Sequence, residues 1–232
     1  SSHNPEAALA AVHTGLVDVL MFSVNPCYDL QPAGENCEAL WAEESYAGML
    51  VNMDPARERL YETCQRLGVG ITVMKGYAGG RLFSAQTSPF GAALTPVQCI
   101  HYALTRPAVA SVMVGVETVE QLEEALAYGD ATAAERDYAS VLAAAPKHAY
   151  LGQCTYCGHC APCAVGINIA LSNKFADLAE MAGEVPASVA AHYKAMDVTA
   201  GACIACGDCE PRCPFDVPII ERMEAAEKLF GC

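Results

Sequence analysis

One stretch near the C-terminal end decides the fold of that region: Cys203-Ile204-Ala205-Cys206-Gly207-Asp208-Cys209-Glu210-Pro211-Arg212-Cys213-Pro214. Its spacing, C-x2-C-x2-C-x3-C-P, is the one that holds a [4Fe–4S] cluster. An upstream run repeats this pattern with two residues between neighbouring cysteines, at Cys154, Cys157, Cys160 and Cys163. Two groups of four thiols therefore predict two [4Fe–4S] clusters and one-electron chemistry.

The fourth cysteine of each run is predicted to bind the cluster of the other run. A C-x2-C-x2-C arch supplies three thiolates to one cubane, and in two-cluster ferredoxins the opposite run supplies the fourth. We therefore assign one cluster to Cys154, Cys157, Cys160 and Cys213, and the other to Cys203, Cys206, Cys209 and Cys163. Gly158 and Gly207 lie inside the arches, where we expect the backbone to pass too close to the cluster for a side chain.

Zinc sites and disulfides are the alternative uses of such cysteines. Zinc knuckles separate two C-x2-C pairs by a longer loop, whereas each group here spans only ten or eleven residues. The sequence has no apolar signal segment and no bilayer-spanning stretch. This favours a reducing cytoplasm as the compartment, where disulfides are rare. The five other cysteines are scattered, namely Cys27, Cys37, Cys64, Cys99 and Cys232. Most of them are expected to be ordinary buried thiols, and Cys232 is given no role.

The composition limits the kinds of partner. A length of 232 residues with 53% hydrophobic residues suits one large or two small globular domains. The formal charge of −14 argues against nucleic acid, since phosphate binding needs clustered Lys and Arg. It fits an enzyme of small molecules, or a surface that meets basic electron-transfer partners.

Residues 1–147 alternate between strand-like and helical segments and are predicted to form one domain. Strands are predicted at 17–24, 69–74 and 109–114, and helices at 5–12, 39–46, 55–67, 96–105, 118–128 and 132–144. This alternation predicts βα units and a parallel sheet buried on both faces. A (β/α)8 barrel needs about 250 residues, and the start at Ser1 looks like a loop after a strand. We therefore expect the second half of a larger domain.

Residues 148–232 are predicted to form a second, helix-rich domain that contains both cysteine runs. Helices are predicted at 167–178 and 189–196. Within the first arch, His159 is expected to tune a cluster by hydrogen bonding. Tyr156 and Phe215 are expected to shield the clusters from water.

Over essentially its whole length, the chain resembles the iron–sulfur branch of the aldo/keto reductases. The segments that carry the resemblance are Ser1-Ser2-His3-Asn4-Pro5, Leu20-Met21-Phe22-Ser23-Val24-Asn25-Pro26, Val73-Met74-Lys75 with Gly79-Gly80-Arg81-Leu82, residues 114–124, and the cysteine-containing extension at 151–230. The resemblance implies the C-terminal half of a TIM (β/α)8 barrel, strands six to eight, followed by a two-cluster ferredoxin-like domain.

The resemblance also implies a cofactor site. The family's NAD(P) lies across the carboxyl ends of these strands, and the matching positions are Ser1, Met21, Met74, Lys75, Gly115, Gln121 and Glu124. Many relatives place a cationic pair in the last segment to hold a 2′-phosphate. This chain has Gly115 and Val116 there, and Glu117 adds negative charge.

The family's Asp-Tyr-Lys-His catalytic set lies on strands before the fifth, so no catalytic residue is assigned here. We expect no carbonyl reductase activity from this chain alone. The resemblance implies a complete cytoplasmic oxidoreductase that couples nicotinamide-dependent redox of a carbonyl or alcohol to electron transfer through the clusters. Its partners would be a small-molecule substrate and a ferredoxin or flavoprotein, with no nucleic acid and no membrane. The alternative is an electron-transfer or binding module whose barrel is a non-catalytic scaffold and whose clusters are structural.

Overall fold

A computed structural model describes residues 1–33, 46, 48–147, 149–182 and 185–232. The helix predicted at 39–46 lies, except for its last residue, outside these ranges, as does Cys37. The chain divides into two compact units, Ser1–Tyr150 and Leu151–Cys232. Across the described ranges, no helix is both long and apolar enough to cross a membrane.

A small parallel sheet lies in the first unit. Its strands are β1 (Val19–Ser23), β2 (Gly70–Met74) and β3 (Val109–Val112), in the order β1-β2-β3. Val19 pairs with Gly70 at one end of the sheet, and Thr72 pairs with Ser111 on the other side of β2. The predicted parallel arrangement of βα units is confirmed.

The sheet buries its side chains unevenly. Phe22, Ile71 and Val73 are fully buried, whereas Ala110 and Ser111 of β3 are exposed. The prediction of a sheet buried on both faces is therefore wrong for β3. This strand is at the edge of the described sheet, and its two central residues are small, so they cover little surface.

Four of the six α-helices described in the first unit begin and end close to their predicted bounds. The six are α1 (Pro5–His13), α2 (Pro26–Asp29), α3 (Pro55–Leu67), α4 (Pro96–Thr105), α5 (Val119–Leu126) and α6 (Ala139–Ala143). Asn4, Asp54 and Thr95 each accept a hydrogen bond from the first turn of the following helix, and each precedes a proline at the first helical position. The helix predicted at 132–144 is the main difference, because only α6 forms there.

A buried carboxylate ties several of these elements together. Asp29 of α2 accepts hydrogen bonds from the hydroxyls of Tyr61 (2.6 Å) and Tyr102 (2.8 Å). The guanidinium of Arg57 lies 3.9 Å from the same carboxylate. Burial raises the pKa of Asp29, and the nearby Arg57 opposes that rise.

The second unit contains α7 (Ile169–Ala182), α8 (Ala187–Lys194) and α9 (Ile219–Phe230), and α7 packs against α9. The first two match the predicted helices. The third was not predicted, although the sequence carries its signals. Ile219, Met223, Ala226 and Phe230 recur at helical spacing and are buried, and Gly231 ends the helix with φ of 75°.

Candidate metal centre

The structure brings the eight predicted ligand cysteines together as two sets of four. The first cavity is lined by Cys154, Cys157, Cys160 and Cys213. The second is lined by Cys163, Cys203, Cys206 and Cys209. Each cavity thus takes three cysteines from one run and the fourth cysteine of the other run. We call these four-cysteine groups the first quartet and the second quartet.

The donors in both cavities suit an iron–sulfur cluster. All eight cysteines are free thiols rather than disulfide partners. Among the described residues, no three His, Cys, Asp or Glu side chains converge closely enough to hold a single metal ion. A [4Fe–4S] cubane takes four thiolates, each on a different iron, and each cavity is lined by four cysteines. The residues therefore fit two [4Fe–4S] groups.

The two arches share one backbone conformation. The residue before the second cysteine has positive φ in both, 56° at Tyr156 and 50° at Ala205. The residue after that cysteine is a glycine with φ of 86° (Gly158) or 79° (Gly207). A Cβ built on either glycine meets no protein atom within 4 Å. Among protein atoms, the left-handed backbone is thus the reason for glycine. The expected close approach of the backbone to the cluster stays a prediction.

This correspondence continues past the cysteines as an internal repeat that the sequence analysis missed. Three residues after the fourth cysteine, Gly166 and Asp216 both have positive φ, 83° and 52°. Helix α7 then begins at Ile169 and helix α9 at Ile219, six residues after Cys163 and Cys213 respectively. The signal was present in the sequence as the matching segments Ile167-Asn168-Ile169 and Val217-Pro218-Ile219.

Arg212 connects the two runs. Its guanidinium donates to the carbonyl oxygens of Cys160 (2.9 Å) and Pro162 (2.8 Å) in the first run. The next residue is Cys213, the member of the first quartet that comes from the second run. Arg212 therefore helps to hold Cys213 beside the arch that it completes.

A polar network touches the first quartet. The amide of Asn173 donates to the Sγ atom of Cys154 at 3.5 Å. The Oδ1 atom of Asn173 accepts from Nε of Arg222 at 2.9 Å, and Arg222 also pairs with Asp177. The second carboxylate oxygen of Asp177 accepts from the hydroxyl of Tyr156 at 2.7 Å. Burial raises the pKa of the Cys154 thiol to about 12, while Asn173 and Arg222 act in the opposite direction.

The other residues named for the clusters are placed as follows. His159 and Phe215 line the first cavity, and Phe215 is fully buried. Outside the quartets, Cys27, Cys64 and Cys99 are buried. Burial raises the pKa of Cys64 to about 11, as expected for an inert core thiol.

A separate cavity of about 640 Å³ opens in the first unit, at the carboxyl ends of β2 and β3. Four of the expected nicotinamide contacts line it, namely Lys75, Gly115, Gln121 and Glu124. The other three lie outside the cavity, namely Ser1, Met21 and Met74. Glu117 also lines it, so the described lining holds one cation and two carboxylates.

Asn25 positions the start of this cavity, a role that the sequence analysis did not assign. Its amide donates to the carbonyl oxygen of Lys75 at 2.9 Å, and its Oδ1 atom accepts from the N–H groups of Cys27 and Tyr28. Lys75 has a positive φ of 59°. A non-glycine residue in this conformation is held there by its surroundings, and the fully buried Asn25 supplies one such restraint.

Comparison with known proteins supports the assignment of the second unit. A family model described as a 4Fe-4S dicluster domain matches residues 153–218. No curated protein matches the chain, and no solved structure matches it. The matched range includes both quartets, so the chain contains an iron–sulfur module of the electron-transfer type.

Proposed function

We propose that the chain is the C-terminal, electron-transfer part of an aldo/keto reductase-like oxidoreductase. One observation carries the electron-transfer part: each cavity of the second unit is lined by three cysteines of one run and the fourth cysteine of the other. The aldo/keto reductase part rests on the resemblance of the sequence segments. The first quartet would hold one [4Fe–4S] cluster and the second quartet another. Arg212 would then fix the crossover between the two runs.

When bound, the clusters would supply reversible storage of single electrons. The chain's own residues would exclude water from the first cluster, because Phe215 and Thr155 are almost fully buried. At the second quartet, Cys206 and Ile204 are exposed. Electron exchange with a ferredoxin or flavoprotein would therefore use this exposed side.

The first unit would contribute the nicotinamide site of the complete protein. Its cavity lies beyond the carboxyl ends of two parallel strands, where α/β sheets commonly bind ligands. Lys75 would be the phosphate contact, and the N-terminal part of α5 would approach the nucleotide. No residue of this chain is assigned to proton or hydride chemistry, so the carbonyl or alcohol substrate would be converted with residues outside it.

Anaerobic reconstitution of the chain with iron and sulfide tests the first part of the proposal. We expect about eight irons and eight sulfides per chain, together with the absorption and EPR signals of reducible cubanes. A chain that takes up zinc in preference, and binds no sulfide, would contradict it.

Titration of NADH and NADPH tests the nicotinamide site. We expect saturable binding of one of them to the reconstituted chain, and weaker binding to K75A. The exposed Lys194 of the second unit provides a matched control, since K194A removes the same charge far along the sequence. Binding that is absent, or equally weak in K75A and K194A, would favour the alternative in which the first unit is a non-catalytic scaffold.

A further inference from the structure

The internal repeat makes the two cluster cavities directly comparable, residue by residue. Asn173 is the fifth residue of α7, and Met223 is the fifth residue of α9. Asn173 lines the first cavity and Met223 lines the second. Both side chains are 1% exposed. Equivalent positions thus present an amide to one quartet and a thioether to the other.

The orientation of the Asn173 amide is fixed by its neighbour. Because Nε of Arg222 donates to Oδ1 at 2.9 Å, the Nδ2 group must point the other way, toward Cys154 Sγ. Arg222 is held in turn by its ion pair with Asp177. Met has no N–H group, so Met223 cannot make the corresponding contact in the second cavity.

We propose that Asn173 raises the reduction potential of the cluster held by the first quartet, and that Met223 leaves the second cluster without this contribution. The inference rests on the proposed cluster function. Reduction adds one negative charge to a cluster, and part of that charge lies on the cysteine sulfurs. An N–H group aimed at Cys154 Sγ therefore binds the reduced state more strongly than the oxidised state. Arg222 supports the effect by polarising the amide.

Solvent also affects the reduction potential of the cluster held by the second quartet. Cys206 of the second quartet is exposed, and water also favours the more highly charged reduced state. The effect of Asn173 is therefore measured as the change in each cluster's own potential, rather than as the order of the two potentials.

The test exchanges the residues at the equivalent positions. The full chain is reconstituted anaerobically, its iron is counted, and each potential is measured by an EPR-monitored redox titration. Single-cluster backgrounds assign the signals: C203A/C206A retains the first cluster, and C154A/C157A retains the second. We expect N173M to make reduction of the first cluster at least about tenfold less favourable, which is about 59 mV for a one-electron couple. M223N should shift the second cluster in the opposite direction.

Two further variants separate a hydrogen bond from a packing effect. N173D retains the acceptor for Arg222 but loses the N–H donor, so it should lower the potential at least as much as N173M. N173Q retains an amide and should recover part of the loss. Should N173M fail to assemble its cluster, M223N still tests the inference, because it leaves the first cavity unchanged.

The outcomes distinguish the two proposals. A chain that binds no iron overturns the cluster function and this inference together. A chain with both clusters whose potentials stay unchanged in N173M, N173D and M223N overturns the inference alone.

Discussion

The crossover of the fourth cysteines can be tested by removing cysteines in pairs. Cys213 lies beside the second run in sequence but lines the first cavity with Cys154, Cys157 and Cys160. If the quartets are the ligand sets, C154A/C213A removes two ligands from the same cluster. C203A/C213A removes one ligand from each cluster. Single variants discriminate less well, because a cubane can persist in degraded form after losing one ligand.

The ligand sets and four irons per cubane together give the expected iron contents. From about eight irons in the parent chain, C154A/C213A should retain about four and one intact [4Fe–4S] EPR signal. C203A/C213A should retain no intact [4Fe–4S] cluster. C163A/C203A gives the reciprocal test and should resemble C154A/C213A, since Cys163 lines the second cavity. Alanine is used because a serine oxygen could replace the sulfur as a ligand.

The assay is iron and sulfide analysis after anaerobic reconstitution, with EPR at low temperature. Cys232 lies in the same unit but outside both quartets. C232A is therefore the matched control and should keep its full iron content. The assignment is refuted if C203A/C213A keeps one intact cluster while C154A/C213A loses both, because Cys213 would then serve the run beside it.

Three stability predictions concern the first unit, and each is measured by urea denaturation with the reconstituted chain as reference. T95A removes the hydroxyl of a complete capping box with Gln98 and should lower the free energy of unfolding by about 1 kcal/mol; a change below about 0.3 kcal/mol would show that the cap does not matter. G68A places a Cβ on a residue with φ of 73° in open space, so the backbone alone should cost about 1 to 2 kcal/mol, and an unchanged midpoint would contradict this reason. Y61F deletes a donor to the buried Asp29 and should cost about 1 to 3 kcal/mol, whereas a neutral result would mean that the carboxylate has no need of that hydroxyl.

Local sequence signals were sufficient for most of the elements. Caps such as Asn4 and Asp54, each followed by a proline, mark helix starts because they satisfy the first free N–H groups of a helix. The strand ends were less well predicted. The apolar run at 109–114 extends past the last paired residue of β3, Val112, because pairing depends on the neighbouring strand rather than on apolar character. The four-residue helix α2 was not predicted. The position of its cap, Asn25, depends on a hydrogen bond to the carbonyl oxygen of Lys75, which lies fifty residues further along the chain.

Some features of the candidate sites were likewise predicted from the sequence, and others depend on the fold. The sequence identified the cysteines by their spacing, but it did not show that Asn173 and Arg222 form one network with Cys154. These residues come from α7, α9 and the first arch, so only the packing of α7 against α9 brings them together. Four of the seven predicted nicotinamide contacts meet at one cavity. The three others are Ser1 at the start of the chain and Met21 and Met74 within strands. A match of sequence segments identifies such positions but does not give their distance from the cavity.

The sequence by itself determined the chemistry of the second unit. Cysteines with two residues between them form a short arch of backbone, so the spacing specifies a cluster and its first three ligands. Tertiary structure decided the surroundings of each cluster, namely which donor reaches Cys154 and which side of the second quartet meets solvent. The physical reason is one of range. Arch geometry is set by a few neighbouring φ angles, whereas contacts between α7 and α9 depend on how two distant segments bury their apolar faces against each other.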